Sequence, residues 1–295
     1  MIASAVISIR NLMLPTDFSD EAAQAVACAQ GLQYRYGAHV YVVHVLDLLP
    51  FSLSSEPAAV AKTEEIRRAG TSRLRQFIQT NQLDGEKFES VLLSGEASSA
   101  VDQFTLEHQV DLIVLGSRGD VGVCRLFDGS MAEEIFRSAQ CPVMVVGPAA
   151  KTLGQSGVFN HLLFPTDLSP FAGAAVPYVE FLLRGNSQAK VSLAHFLETD
   201  PGSPYQRHKA REGARQELRN MLAPHLRHQI EEVIVELCAP AEGILEIANG
   251  VAADLLILGV RHGGSFLRAS THGLLSITHH IVSGAPCPVL TVRAS

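Results

Sequence analysis

Along the chain, short apolar runs alternate with longer segments in which apolar residues recur every three or four positions. The runs near 10–15, 38–46, 88–94, 111–116 and 142–147 read as strands. Asp111-Leu112-Ile113-Val114-Leu115 is the clearest, an unbroken apolar run of the kind found in parallel strands covered on both faces. Between them lie helical segments: 19–34, with Ala22, Val26, Ala29 and Leu32 on one face; 60–80, with Ile66, Leu74, Phe77 and Ile78; 97–108; and 130–139. The second part of the chain reads alike, with strands near 161–165, 190–197, 231–238, 254–259 and 288–293. Ser169-Pro170 marks a helix start, a capping hydroxyl followed by proline at the first helical position. Pro201 to Pro204 reads as a surface excursion before a helix around 206–222. Five strands joined by helical crossovers predict an α/β fold, a doubly wound parallel sheet with helices on both faces (flavodoxin/Rossmann-like).

The pattern occurs twice because the sequence does. Leu12 to Ser19 returns as Leu162 to Ser169 with five of eight residues identical. Asp111 to Gly116 returns as Asp254 to Gly259, and Cys141 to Val146 as Cys287 to Val292, each with four of six identical. The offsets of 150, 143 and 146 residues describe a tandem duplication. Residues 1–150 and 161–295 are the expected domains, each with a five-stranded sheet, and 151–160, with Gly154, Ser156 and Gly157, the expected linker.

Composition narrows the function. A chain of 295 residues with 47% hydrophobic and 18% charged residues has ample core for two domains. A net charge of -7 argues against nucleic acid and against a polybasic membrane surface. It leaves a small anionic ligand open, since a local nest of amides overrides a bulk negative field. The five cysteines are odd in number and form no CxxC pair, as in a reduced cytosolic protein. Met1 to Ile7 is too short to span a bilayer, and no later run of 18 apolar residues exists. The expectation is a soluble, cytoplasmic protein without membrane insertion.

The candidate chemistry sits after the strand at 111–116. Gly116-Ser117-Arg118-Gly119 is followed, nine residues on, by Gly129-Ser130, and a helix begins at Met131. Glycines let backbone N–H groups approach an anion closely. A helix start adds unpaired donors and partial positive charge. A strand, a glycine loop and a helix start together make a phosphate cradle. The loop lacks the Lys-Ser/Thr of a P-loop, and its spacing departs from G-x-G-x-x-G.

The spacing G-x2-G-x9-G-S is similar to the nucleotide-binding motif of ATP-binding universal stress proteins, and the resemblance extends over nearly the whole chain, twice. It implies an adenine nucleotide, ATP or AMP, as ligand, with Mg2+ accompanying ATP. It places Asp17 near ribose and adenine, Val45 with its backbone at the adenine edge, and Pro15 and Thr16 as wall. Gly116, Gly119, Gly129, Ser130 and Met131 would hold ribose and phosphates, with Arg118 either near the phosphates or a solvated loop arginine. The alternative for Asp17 is a turn former or helix cap; Ser19 is a separate cap candidate, which favours the ligand role. His44 reads as a satisfied, partly buried histidine. The resemblance also implies pairing of the last strands of the two halves within the chain, a pseudo-dimer that could associate further into a homodimer. The protein partner is unknown.

The second copy departs. Anchored on Cys287-Pro288, Ser276 stands opposite Ser130 and Leu275 opposite Gly129, with 17 residues from Gly259 against 14 in the first copy. A rival alignment uses Gly263 and Gly273 and puts Leu274 at the serine position. Either way a cradle element is missing, although Asp167, Gly259 and Ser276 remain as a weaker second site. His262, His272, His279 and His280 have no convincing metal-site spacing. No arranged nucleophile and base is legible, so a regulatory nucleotide-binding module with at most slow ATP hydrolysis is expected. An adenylyl- or phosphoryl-transfer enzyme and a nucleotide-free scaffold are the alternatives.

Overall fold

A computed structural model describes residues 7–48, 57–117, 131–150, 156–197, 199–260 and 274–294. The first half runs β1 (Asn11–Pro15), α1 (Asp20–Gln24), α2 (Val26–Tyr36), β2 (His39–Leu46), α3 (Pro57–Thr80), β3 (Phe88–Ser94), α4 (Ala97–Glu107), β4 (Leu112–Gly116), α5 (Met131–Ser138) and β5 (Val143–Val146). The second half runs β6 (His161–Pro165), α6 (Pro170–Gly173), α7 (Val176–Gly185), β7 (Lys190–Phe196), α8 (Pro204–Met221), β8 (Ile230–Glu236), α9 (Pro240–Gly250), β9 (Leu255–Val260), α10 (Leu274–Gly284) and β10 (Val289–Arg293).

The strands form one sheet in the order β3-β2-β1-β4-β5-β10-β9-β6-β7-β8. Each half is parallel. Its first strand lies between the second and fourth, so strand order reverses between β1 and β4 and between β6 and β9. The halves join through β5 and β10, which pair antiparallel from Val143↔Thr291 to Val145↔Val289. The expected pairing of the two Cys-Pro strands within the chain is thus present. Thr291 adds a buried side-chain bond, its hydroxyl donating to the Val143 carbonyl at 3.1 Å.

Repeated residues build repeated joints. Asp111, just before β4, accepts from the amides of Arg10 (2.7 Å) and Asn11 (3.0 Å) where β1 begins. Asp254 does the same for Asn160 (2.7 Å) and His161 (3.0 Å) ahead of β6. Each carboxylate fastens the start of one strand to the start of its neighbour, with charge-assisted bonds to otherwise open amides. Ser19 caps α1 through the Ala22 amide, and Ser169 caps α6 through that of Ala172, with Pro170 in the first turn. Ser203 and Gln206 form a reciprocal capping box at α8, directly after the 201–203 excursion.

Helices cover both faces. One core layer joins side chains of α2, α3, α7 and α8, among them Leu32, Phe77, Leu183 and Leu218. The other joins α4, α5, α9 and α10, among them Phe104, Ile135, Ile247 and Ile281. Both layers run through the β5–β10 seam without interruption, so the halves share their cores. The outer part of the seam is closed by the Tyr36 and Phe181 rings, 5.5 Å apart, and by the Arg35 guanidinium donating to the Gly185 carbonyl.

The described end of the expected linker is packed. Phe159 is buried in the first core layer. Gly157 has a left-handed backbone (φ +64) and lies so close to α2 that a Cβ there would stand 2.1 Å from the Gly31 carbonyl oxygen. Glycine at 157 therefore serves close approach as well as turning. Residues 156–160, the described end of the expected linker, pack against the body of the protein.

Candidate functional site

The turn after β1 is fixed by three successive side-chain contacts. Thr16 is buried; its N–H donates to the Val43 carbonyl (2.8 Å) and its hydroxyl accepts from the Phe18 amide (3.0 Å). Asp17 accepts from the Ser19 amide (3.0 Å) and from the Ser19 hydroxyl. Phe18, between them, has φ 69, in the left-handed region that a non-glycine residue occupies at a cost of about 1–3 kcal/mol. The bonds on either side hold it there. The turn after β6 is a copy: Thr166 to the Leu168 amide (3.0 Å), Asp167 to the Ser169 amide (2.9 Å), and Leu168 at φ 62.

Asp17 stands in the turn, the turn-forming position weighed from sequence, and ties the cap residue in place. One carboxylate oxygen is engaged there, and Asp167 makes the same contact to the Ser169 amide.

His44, on β2, sits beneath the turn. Its Nδ1 lies 2.7 Å from the Thr16 carbonyl oxygen, so Nδ1 carries the proton and donates. Burial lowers its pKa from 6.5, against the opposing pull of that carbonyl, which keeps the ring neutral near pH 7. The satisfied, partly buried histidine expected from sequence is what the structure contains. The Phe18 ring lies 4.2 Å from the His44 ring, and the Arg73 guanidinium stands 4.6 Å from the centre of Phe18. His195 repeats the bond, with Nδ1 2.9 Å from the Thr166 carbonyl oxygen, but Leu168 offers no ring there. Arg73 was not legible as a site neighbour, because no spacing links a residue on α3 to the turn after β1.

Beyond Pro15, β1 ends while β2 continues. The β1–β2 register stops at Pro15↔Val43, whereas β2 pairs β3 as far as Leu46↔Ser94. Backbone groups of a strand point alternately to its two neighbours. Val43 faces β1 through its carbonyl and Leu46 faces the β3 side, so Val45 directs its backbone groups past the end of β1. That is the crevice at the reversal of strand order.

Gly116 closes β4 at the same end. A Cβ there would stand 1.7 Å from the Glu21 carbonyl oxygen on α1. Its repeat Gly259 meets Ala172 of α6 at 2.4 Å. The first glycine of the motif is thus required by packing of helix on strand, a steric role that its reading as an anion donor had missed. Ser117 follows; its N–H donates to the Val146 carbonyl (3.0 Å), and its buried hydroxyl has no partner among the described residues. Arg118, Gly119, Gly129 and Ser130 lie outside the described residues, as do Cys124 and Arg125. Met131 opens α5, and Ser276 lies near the start of α10. His262, Gly263, His272 and Gly273 are also outside the described residues.

Comparison with known proteins bears on both halves. The model of the universal stress protein family matches residues 8–147 and again 159–293. The chain belongs to the universal stress protein family. Universal stress proteins of Methanocaldococcus jannaschii and Thermus aquaticus are 30% and 31% identical to it, each over 46% of this chain and over 81% and 98% of their own lengths. Each match has the extent of one half. A universal stress protein from Archaeoglobus fulgidus shares the fold along 97% of this chain and 98% of its own, with TM-score 0.68 and 20% identity. Two universal-stress-type domains in tandem, each doubly wound, are therefore established.

Burial pushes the thiols of Cys28, Cys141 and Cys287 up to about 12, far from a reactive thiolate. His44 has one ring nitrogen committed to backbone, and no carboxylate is hydrogen-bonded to its ring among the described residues. Among the described residues no group of three or more His, Cys, Asp or Glu could hold a metal ion, and no helix is long and apolar enough to cross a membrane.

Proposed function

We propose that this universal stress protein binds an adenine nucleotide, ATP or AMP, in its first half and acts as a regulator whose contacts depend on occupancy. The observation that carries the reading is the position of the one complete G-x2-G-x9-G-S spacing. It begins at the last residue of β4, beside the reversal of strand order, where ligands of open α/β sheets sit. Three features of the crevice suit such a ligand. Val45 turns backbone groups to the open space, fitting a base edge; Ser117 brings an unpartnered buried hydroxyl to the loop entrance; and α5 starts where the loop ends. Gly119, Gly129, Ser130 and Met131 would supply phosphate contacts, with Arg118 as cation and Mg2+ accompanying ATP. The nucleotide itself supplies a switch between charged and less charged tails; the chain binds and orients it. Asp167, Gly259 and Ser276 would make at most a weak second site.

Isothermal titration of the full chain with ATP and with AMP tests this. One site per chain is expected, weakened by Gly119→Ala, with ATP turnover far below the roughly 1–100 s⁻¹ typical of kinases. Two equal sites, or no binding at millimolar nucleotide, would overturn the reading.

A further inference from the structure

The two halves are related by their repeat, and at one position that relation fails with consequences for the site. Aligning Cys141-Pro142 with Cys287-Pro288 puts Arg293 opposite Gly147. Arg293, the last residue of β10, reaches over the seam into the first half. Its guanidinium donates to the Arg137 carbonyl at 2.8 Å and to the Phe136 carbonyl. These are among the last carbonyls of α5, which have no amide partner within the helix. A cation at that end also opposes the partial negative charge of the helix terminus. Arg293 is half-buried, and burial lowers its pKa against the opposing pull of the Asp102 carboxylate on α4. Asp102 in turn lies 3.4 Å from the hydroxyl of Ser138, the final residue of α5. The C-terminal end of α5 is therefore held from the second half on its carbonyls and from α4 on its hydroxyl.

Gly147 gives nothing of the kind back. A Cβ at that position would stand 3.9 Å from the Val282 carbonyl oxygen of α10, so the backbone passes the equivalent helix end, but glycine has no side chain to donate. Among the described residues this anchor runs one way, from the second half to the first.

We propose that Arg293 is a positioning residue for the nucleotide site of the first half, an inference that rests on the reading of that site given above. Helix α5 has eight residues, about 12 Å end to end. So short a helix moves as a rod, and its C-terminal anchor sets where the amides at its start, Met131 onward, stand. The half without a complete glycine motif thus fixes a wall of the half that has one. By linkage, nucleotide in the first half tightens the β5–β10 seam by the same factor that the seam tightens nucleotide binding.

The test uses the full chain with Arg293→Ala, Arg293→Lys and Arg293→Gln, titrated with ATP, alongside hydrogen exchange of residues 131–138. Arg293→Ala is expected to weaken ATP about tenfold and to lower protection in α5, leaving β1 and β2 protected as before. Lysine keeps a cation at the carbonyls and should restore most of the affinity; glutamine, with one neutral donor group, should restore less. That order separates positioning from a general loss of stability, and it holds even if the alanine variant fails to fold. Equal ATP affinity in wild type, lysine and glutamine variants, with α5 unchanged, would overturn the proposal and leave the nucleotide site standing. A wild-type chain that takes up no ATP would instead remove the site, and this inference with it.

Discussion

The turns after β1 and β6 are built alike, down to a left-handed non-glycine residue in each, yet they open onto different loops. Thr16, Asp17, Phe18 and Ser19 have their structural counterparts in Thr166, Asp167, Leu168 and Ser169, and His44 in His195. The sequences after Gly116 and Gly259 diverge in length and in the residue before the serine. What both halves keep is what each needs in order to fold: strand clamps, helix caps and close helix–strand packing. What only the first half keeps is the complete glycine–serine spacing through Gly119, Gly129 and Ser130. Duplication within one chain thus separates two kinds of repeated residue that a single copy would confound.

The largest expected effect tests whether the shared glycines are structural. Gly116→Ala forces a methyl against the Glu21 backbone, which cannot give way as a flexible side chain would. Destabilisation of about 3 kcal/mol is expected, and slightly less for Gly259→Ala against Ala172, read by chemical denaturation. If Gly116→Ala removes nucleotide binding while leaving stability intact, the division between folding and binding residues breaks at its first member.

The shared aspartates come next. Asp111→Ala and Asp254→Ala each strip two backbone amides of a charged acceptor, for an expected loss of about 2 kcal/mol. The asparagine variants, which keep an acceptor oxygen, should lose less. Similar losses at the two positions sharpen the comparison; a loss at one alone would mean that the clamps are not equivalent.

The smallest effect is a pH dependence at His44. Its folded pKa lies below its ordinary value of 6.5, so as pH falls through 6.5 the unfolded chain takes up the proton first. The stability contributed by the neutral ring is present above 6.5 and is lost as pH falls towards the folded pKa. Between pH 7.5 and 5.5 the wild type should therefore lose more thermal stability than His44→Gln. An identical decline in the two proteins would remove this role from His44.

The strand pattern and the duplication were legible because they rest on local periodicity and on identity between distant stretches, whereas the seam was implied by the family resemblance. The role of Asp111 was not, because its partners at Arg10 and Asn11 lie about a hundred residues away and no periodicity links them. Gly116 announced itself within a glycine motif, and only the path of α1 beside β4 reveals the steric demand. Gly157 and Ser156 carried a loop signal that was correct for the turn and silent on the packing of Phe159. Arg293 stands near the end of the sequence, where a basic residue reads as solvated; its use depends on β10 meeting β5.

Because each half gives its fifth strand to the other, the flanks of the sheet among the described residues are β3 and β8. Glu89 stands exposed on one, and Glu231, Glu232 and Glu236 on the other. Such acidic margins repel a further strand. The seam closes one flank of each half inside a single polypeptide, and the exposed glutamates guard the two flanks that remain.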